Sequence, residues 1–304
     1  MSAKLAALLR EFEMLREQTA TIPWCQKYWW DDEDLGFGEL VLADAWYRSR
    51  CLEIPNTGIG ESMIPCVDMV NHSSQPNAYY EYASSSGVSL LLRPGMMATA
   101  DSEITISYGN SKSEAEMLFS YGFIDEDSTN NNGLVLTLEP LPDDPLGKAK
   151  ATAFAGPRVA RISVDEDRIQ LESPFLYFML LNEEDGLDFR VLQQTDGSRS
   201  HLKVFWQDID VTDATETFES LTRGHPLSDV FRLRAIAFLQ DRIRQQLERL
   251  YESDDAVQSL AGAVDLDRRS NAIFLRRIET TILEKAFSAV DMQVSVVTGE
   301  TRDY

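Results

Sequence analysis

The chain has 304 residues, of which 43% are hydrophobic and 26% are charged. This length can bury a sizeable core, and the composition excludes collagen-like, disulfide-scaffold and wholly disordered chains. The formal net charge is −22, from 28 basic and 50 acidic residues. So acidic a chain repels nucleic acid and anionic membranes and favours a basic partner, unless the charge serves only solubility.

Neither a membrane span nor a metal site is expected. No apolar run approaches the ~20 residues that a spanning helix needs, and the N-terminus lacks the pattern of a secretory signal. The three cysteines are too few for a disulfide framework or a four-cysteine zinc site, and the three histidines are not at metal-ligand spacing. A reduced intracellular compartment, cytoplasmic or nuclear, is therefore predicted.

The first 54 residues are predicted to form a helical segment. Leu5, Leu8, Phe12 and Leu15 recur at helical spacing, and a second helix is predicted over 37–50. An aromatic group lies between these helices, and packing beneath a loop is a simpler expectation for it than a ligand cage. The group consists of Trp24, Tyr28, Trp29 and Trp30.

Short strands are predicted in the next segment, residues 55–140. Alternating apolar residues over 88–92 and 104–108 are bounded by glycine and proline, which is typical of strands. A short helix is expected over 111–119, with Ser111 or Ser113 as its cap, and a strand over 134–138.

The second half of the chain is predicted to be mostly helical. The proline-rich stretch 140–145 is typical of a linker, so a domain boundary is predicted there and a second domain over 146–304. Within that domain we expect one hairpin over 161–171 and two long amphipathic helices.

Two clusters of polar and aromatic residues suggest a functional site. The first is Asp68-x-x-Asn71-His72, and the second is Tyr108-Gly109, followed at a distance by Tyr121-Gly122-Phe123. Each cluster alone is a weak signal, because turn-forming residues and strand-end tyrosines are common. In this order, with two predicted strands between them, the clusters resemble the SET-domain protein lysine methyltransferases.

The closest resemblance is to the subgroup that includes the Rubisco large-subunit lysine methyltransferase. A helix ending in Ser49-Arg50 precedes the Asn-His loop, a cysteine-rich pocket-closing segment is absent, and the second half is helical. The resemblance implies an α+β fold, in which a partial knot-like SET β fold over 55–140 joins a helical C-terminal domain that binds substrate. Residues 1–54 would match the helical inserted segment of that subgroup.

The same resemblance implies S-adenosylmethionine-dependent N-methylation of lysine in an intracellular protein. The acidic charge argues against nucleic acid or a membrane as partner, and no metal is expected. Tyr108 would be the catalytic tyrosine. The residues that would bind the cofactor are Arg50, Asn71, His72 and Phe123. The residues that would contact the lysine or its segment are Asp68, Tyr82 and Tyr121, and Tyr80 is an alternative to Tyr82 as an aromatic wall.

One feature departs from the family pattern. SET enzymes have a Gly-x-Gly segment well ahead of the Ser-Arg helix, whereas Gly36-Phe37-Gly38 is too close to that helix and Gly58-x-Gly60 follows it. The chain is then a truncated product, a degenerate non-methylating protein that acts as a binding module or uses a changed pocket, or an enzyme in which another segment rebuilds the cofactor site. A chromatin adaptor is a weaker alternative, because no basic nuclear-localisation cluster is present.

Overall fold

A computed structural model describes residues 2–31, 35–54, 60–83, 87–109, 112–124, 133–165, 168–193, 199–259 and 266–298. The chain divides into two compact units, Met1–Asn131 and Asn132–Tyr304. The boundary predicted at 140–146 lies C-terminal to this division, because the strand Gly133–Thr137 pairs within the second unit. Gly58 lies outside the described residues.

Helices and short strands alternate in the first unit. Its helices are α1 (Ser2–Thr19), α2 (Pro23–Cys25), a π-helical turn (Gln26–Trp30), α3 (Phe37–Arg50), a 3-10 turn (Val67–Met69) and α4 (Glu114–Tyr121). Its strands are β1 (Cys51–Glu53), β2 (Glu61–Met63), β3 (Asn71–His72), β4 (Ala78–Ala83), β5 (Gly87–Leu92) and β6 (Thr105–Ile106). β1 pairs with β2 and β4 with β5 in antiparallel fashion, whereas β3 pairs with β6 in parallel.

Local chemistry fixes the ends of the helices in this unit. Gly36 is the N-cap of α3, and its backbone N–H donates to the Glu39 carboxylate at 2.8 Å. Ser113 caps α4, as one of the two predicted caps, because its hydroxyl accepts from the Glu116 N–H at 3.3 Å. Gly122 ends α4 in the left-handed conformation, with φ of 83°.

The second unit contains two antiparallel sheets as well as helices. The first sheet is β7 (Gly133–Thr137), β8 (Val159–Asp165) and β9 (Arg168–Glu172), which includes the predicted hairpin. The second sheet is β10 (Leu187–Gln193), β11 (Arg199–Trp206) and β12 (Ile209–Asp210), which the sequence analysis missed.

In the described residues of this unit, six helices accompany the sheets, and all but the short helix Asp254–Ser259 contribute to one apolar core. The six helices are α5 (Gly147–Ala153), α6 (Pro174–Leu180), α7 (Phe218–Thr222), α8 (Ser228–Glu252), α9 (Asp254–Ser259) and α10 (Leu266–Thr298), with a 3-10 turn at Thr212–Thr217. Ile243 of α8 and Leu283 of α10 are fully buried, as the predicted amphipathic stripes require. The α+β class with a helix-rich C-terminal region is therefore confirmed. Among the described helices, none has the length and apolarity needed to cross a membrane.

A buried ion pair ties a loop to the core of the second unit. The ammonium of Lys150, which is 1% exposed, lies 2.6 Å from the Asp144 carboxylate and donates to the Met179 carbonyl at 2.8 Å. Burial lowers the pKa of Lys150, and Asp144 opposes that shift. The pair therefore joins the loop before α5 to the end of α6.

We expect Asp144→Ala to lower the free energy of unfolding of the second unit by about 3 kcal/mol, because it leaves a buried ammonium without its counter-ion. The double variant Asp144→Ala/Lys150→Met should recover much of that loss. Urea denaturation followed by circular dichroism measures both. The matched control is Glu219→Ala, which removes an exposed pair with Arg223 and should cost less than about 1 kcal/mol. Equal losses in Asp144→Ala and Glu219→Ala would contradict the buried-pair account.

Candidate active site

A parallel pairing of two short strands brings the two sequence clusters together. Asn71 lies opposite Thr105 and His72 opposite Ile106 in the β3–β6 pair. The Ser73 N–H extends the pairing by donating to the Ile106 carbonyl at 3.0 Å. Tyr108 follows β6 by two residues, so this pairing places it beside the Asn-His segment.

Asn77 and Glu103 hold the crossing of these strands. The Asn77 side-chain oxygen accepts from the Thr105 N–H at 2.9 Å, and its amide donates to the Glu103 carbonyl at 2.8 Å. The Asn71 amide donates to the Glu103 carboxylate at 2.6 Å. Glu103 is not predicted from the sequence, because its only sequence signal is its place just before a predicted strand.

Two hydrogen bonds fix Tyr108. Its backbone N–H donates to Nδ1 of His72 at 3.1 Å, and its hydroxyl donates to the Val70 carbonyl at 2.9 Å. Because Nδ1 of His72 accepts, the proton of the neutral ring is on Nε2. The phenol is therefore held at both ends against the Asn-His segment.

Four aromatic rings form one cluster around this phenol. The ring centroid of Tyr108 lies 4.5 Å from that of Tyr121 and 5.1 Å from that of His72. Phe123 closes the group, with its ring 5.9 Å from His72 and 6.3 Å from Tyr121. Helix α4 and its glycine cap place Tyr121 and Phe123 on this side of the strands.

The surroundings of the cluster keep both phenols neutral. Burial raises the pKa of Tyr108, and the nearby Arg50 guanidinium opposes that shift. Burial also raises the pKa of Tyr121 to about 12, with a further contribution from the Tyr108 hydroxyl. A partly dry site of this kind disfavours any charged group that has no partner.

Arg50 links α3 to the loop before β3. One guanidinium nitrogen donates to the Asp68 carbonyl at 3.0 Å and lies 3.1 Å from the Met69 sulfur. Asp68 itself lies in the 3-10 turn that leads into the Asn-His segment. The structure thus brings Arg50, Asp68 and Tyr108 into one region, and their roles toward cofactor and substrate stay predictions of the resemblance.

Tyr80 rather than Tyr82 packs against the site. Both tyrosines lie on the same face of β4, but Tyr80 packs against the same small core as Tyr108, and its hydroxyl donates to the Glu53 carbonyl at 2.8 Å. Tyr82 is 42% exposed and lies two residues further along the strand, beyond the small core. A substrate role for Tyr82 stays a prediction.

The curated proteins give two informative matches. SET domain-containing protein 8 of Schizosaccharomyces pombe is 29% identical over 252 residues, which cover 81% of this chain and 54% of that protein. The Rubisco large-subunit N-methyltransferase of Pisum sativum chloroplasts is 31% identical over 106 residues, which cover 31% of this chain and 22% of that enzyme. The chain thus spans about half of the first relative and about a fifth of the second. No protein-family model matches the chain.

Solved structures show the same fold. The SET domain of LSMT bound to lysine and AdoHcy matches with a TM-score of 0.62 at 16% identity, over 98% of this chain and 64% of that one. Rubisco LSMT bound to AdoMet matches with a TM-score of 0.60 over the same shares. The chain therefore has a SET-domain fold. Within that class its fold is that of the Rubisco large-subunit methyltransferase, so the predicted resemblance is confirmed.

We expect the free energy of unfolding of the first unit to fall at alkaline pH, because the half-buried Tyr121 phenol can lose its proton once the unit unfolds. The folded protein holds the phenol proton up to a pKa of about 12, whereas the unfolded chain releases it near pH ~10. The unfolded state then binds fewer protons between these values, so the free energy of unfolding falls as pH rises through that window. Tyr121→Phe should flatten this fall, measured by urea denaturation between pH 9 and 12.

The control for the alkaline experiment is Tyr79→Phe. Tyr79 lies on the opposite face of β4 from Tyr80 and outside the ring cluster of Tyr121, so this variant should keep the slope of the wild type. A slope that is unchanged in Tyr121→Phe would contradict the burial of the Tyr121 phenol.

Proposed function

We propose that this protein is an S-adenosylmethionine-dependent protein-lysine N-methyltransferase that acts on a basic intracellular protein. The observation that carries the proposal is the ring cluster around Tyr108, whose hydroxyl is held on the Val70 carbonyl beside the Asn-His segment. Solved proteins with this fold are described with lysine, methyllysine, AdoMet and AdoHcy bound. The net charge of −22 and the scarcity of cysteine support a basic substrate in a reducing compartment.

The residues of the site fit a sulfonium cofactor. Aromatic faces and carbonyl oxygens stabilise such a cation, and the site offers the rings of Tyr108 and Phe123 with the Val70 carbonyl. The side chain of Asn71 is bound to Glu103, so Asn71 and His72 would hold the cofactor through their backbone. Arg50, fixed on the Asp68 carbonyl, would lie at the edge of the same site. When bound, the cofactor supplies an electrophilic methyl group.

The protein's part in the reaction is to deliver a neutral amine. A free lysine has a pKa near ~10.4, so it must lose a proton before its lone pair can attack. Desolvation beside the rings of Tyr108 and Tyr121 disfavours the ammonium form, as it disfavours the phenolates of these residues. The Asp68 carboxylate would attract the incoming ammonium at the entrance, and the rings would then orient the amine and exclude water.

One observation favours the second candidate function, a non-methylating binding protein. Gly36, which begins the Gly36-Phe37-Gly38 sequence, is used as the N-cap of α3. This glycine pair therefore starts a helix and is not a β segment that could line a cofactor. A protein with this fold could keep the ring cluster for another ligand, because fold does not fix function.

Calorimetry with S-adenosylmethionine on the purified 304-residue chain separates the two functions. The enzyme hypothesis predicts a saturable heat of binding, which Asn71→Ala should weaken only moderately because the contacts expected there are to the backbone. Absence of binding at millimolar cofactor would reject methyl transfer by this chain and leave the binding function.

We expect Tyr108→Phe to lower the rate of methyl transfer to a lysine-rich protein by about 100-fold. The variant removes one positioned hydroxyl from a partly dry site, an effect of that order in other enzymes. Cofactor affinity should change little, because the ring remains. Radiolabelled methyl incorporation measures the rate, and calorimetry measures the affinity.

Tyr79→Phe is the matched control, because Tyr79 lies on the opposite face of β4 from Tyr80. It should leave the rate unchanged. Full turnover in Tyr108→Phe would remove Tyr108 from the mechanism.

A further inference from the structure

The aromatic group between α1 and α3 is neither buried beneath a loop nor closed into a cage. Ring contacts run from the surface inward, with Trp24 5.4 Å from Tyr28 and 5.4 Å from Trp29, and Trp29 6.1 Å from Trp30. The Trp30 ring then lies 5.9 Å from that of Phe12, which is buried. We call these five residues the aromatic ladder.

The outer end of the ladder is open to solvent. Trp24 is 57% exposed and Tyr28 is 52% exposed, whereas the inner ring of Trp30 is fixed by a hydrogen bond from its indole N–H to the Thr19 hydroxyl at 3.1 Å. The exposed rings are therefore held on a rigid base and lose little conformational freedom on binding. Exposed, contiguous aromatic surface of this kind marks interaction sites.

An apolar cavity adjoins the ladder. It has a volume of about 310 Å³, and its walls include Trp29, Trp30, Leu15 and Leu40. Glu39 is the charged residue of this lining, and its carboxylate accepts a hydrogen bond from the Gly36 N–H. The cavity is lined mainly by apolar residues and is large enough to receive an aliphatic side chain.

Charge selects the partner. Residues 1–131 carry eight basic and twenty acidic residues. Asp31 directly follows the last ring of the ladder, and the intramolecular contacts already show cations on these rings. Lys27 lies 4.8 Å above the centre of the Tyr28 ring, and the Arg16 guanidinium lies 5.8 Å from that of Trp30.

We propose that the aromatic ladder and its cavity dock a lysine- and arginine-rich polypeptide segment that carries one aliphatic anchor residue. The anchor fills the cavity beside Trp29, and flanking cations lie over the exposed faces of Trp24 and Tyr28. The docking surface deepens the proposed function by locating where a basic protein partner is held. It rests on that function only for the basic nature of the partner, because docking requires neither cofactor nor chemistry.

The test is fluorescence anisotropy on the full chain without cofactor, using a labelled peptide of lysine and arginine around one leucine. Two further peptides serve as comparisons. In the glutamate peptide every basic residue is replaced by glutamate, and in the serine peptide the leucine is replaced by serine. The basic peptide should bind with an affinity that falls as salt rises. The glutamate peptide should not bind, and the serine peptide should bind several-fold more weakly.

Variants of the ladder locate the binding. Trp24→Ala should weaken binding of the basic peptide about fivefold. Tyr28→Leu should weaken it equally, because it keeps apolar bulk but removes the aromatic face. Lys27→Gln should tighten binding about twofold, because it frees the Tyr28 face and removes a repelling charge. Circular dichroism melting of each variant establishes that it folds.

The control is Trp46→Ala, since Trp46 on α3 is 60% exposed and lies outside the ladder. It should leave peptide binding unchanged. Equal weakening in Trp46→Ala and Trp24→Ala would overturn the proposal, as would binding of the glutamate peptide. A wild-type dimer that Trp24→Ala dissociates would assign the face to a second copy and would also overturn it.

The two proposals fail separately. Peptide binding together with no heat from S-adenosylmethionine would support the docking surface and reject methyl transfer. Cofactor binding and lysine methylation that are unaffected by Trp24→Ala and Tyr28→Leu, with no peptide binding, would reject the docking surface alone.

Discussion

Two residues of parallel strand pairing hold the candidate active site together. The β3–β6 register sets Asn71 against Thr105 and His72 against Ile106, and the positions of Tyr108, Glu103 and Asn77 all follow from it. So short a strand pairing has few backbone hydrogen bonds of its own. Hydrogen bonds from side chains therefore complete it. The Asn77 bonds to Thr105 and Glu103 and the His72 bond to the Tyr108 N–H do this work. The same contacts that stabilise the crossing therefore also position the phenol.

The sequence predicts the residues of this candidate site better than it predicts the residues that hold them in place. The resemblance of two motif clusters to a known family groups Asn71, His72, Tyr108, Tyr121 and Phe123, and the structure brings their segments together. Glu103 has no motif, because an acidic residue before a strand is common and its role depends on a partner 32 positions away. The choice between Tyr80 and Tyr82 also needs the structure, since both share a face and only the extent of the core separates them.

The fold likewise includes elements that the sequence predicts and elements that it does not. Long amphipathic helices such as α8 and α10 were predicted because a stripe at helical spacing must be buried. The sheet β10–β11–β12 was missed, although Leu202, Val204 and Trp206 alternate as strand residues do. The turn that joins its last two strands is at Gln207 and Asp208, both at positive φ without glycine, so the usual turn signal is missing.

The small size of the apolar core around the site has a thermodynamic consequence. In the described part of the chain, the buried members of the cluster beside the Asn-His segment are only Leu52, Ala78 and Ile106, whereas the second unit has a continuous core. Because this core contributes little stability, a ligand that binds only the native form would raise the stability of the unit by a proportionally larger amount. The concentration of such a ligand would then set how long this unit resists proteases, because only the free native form opens to the unfolded state.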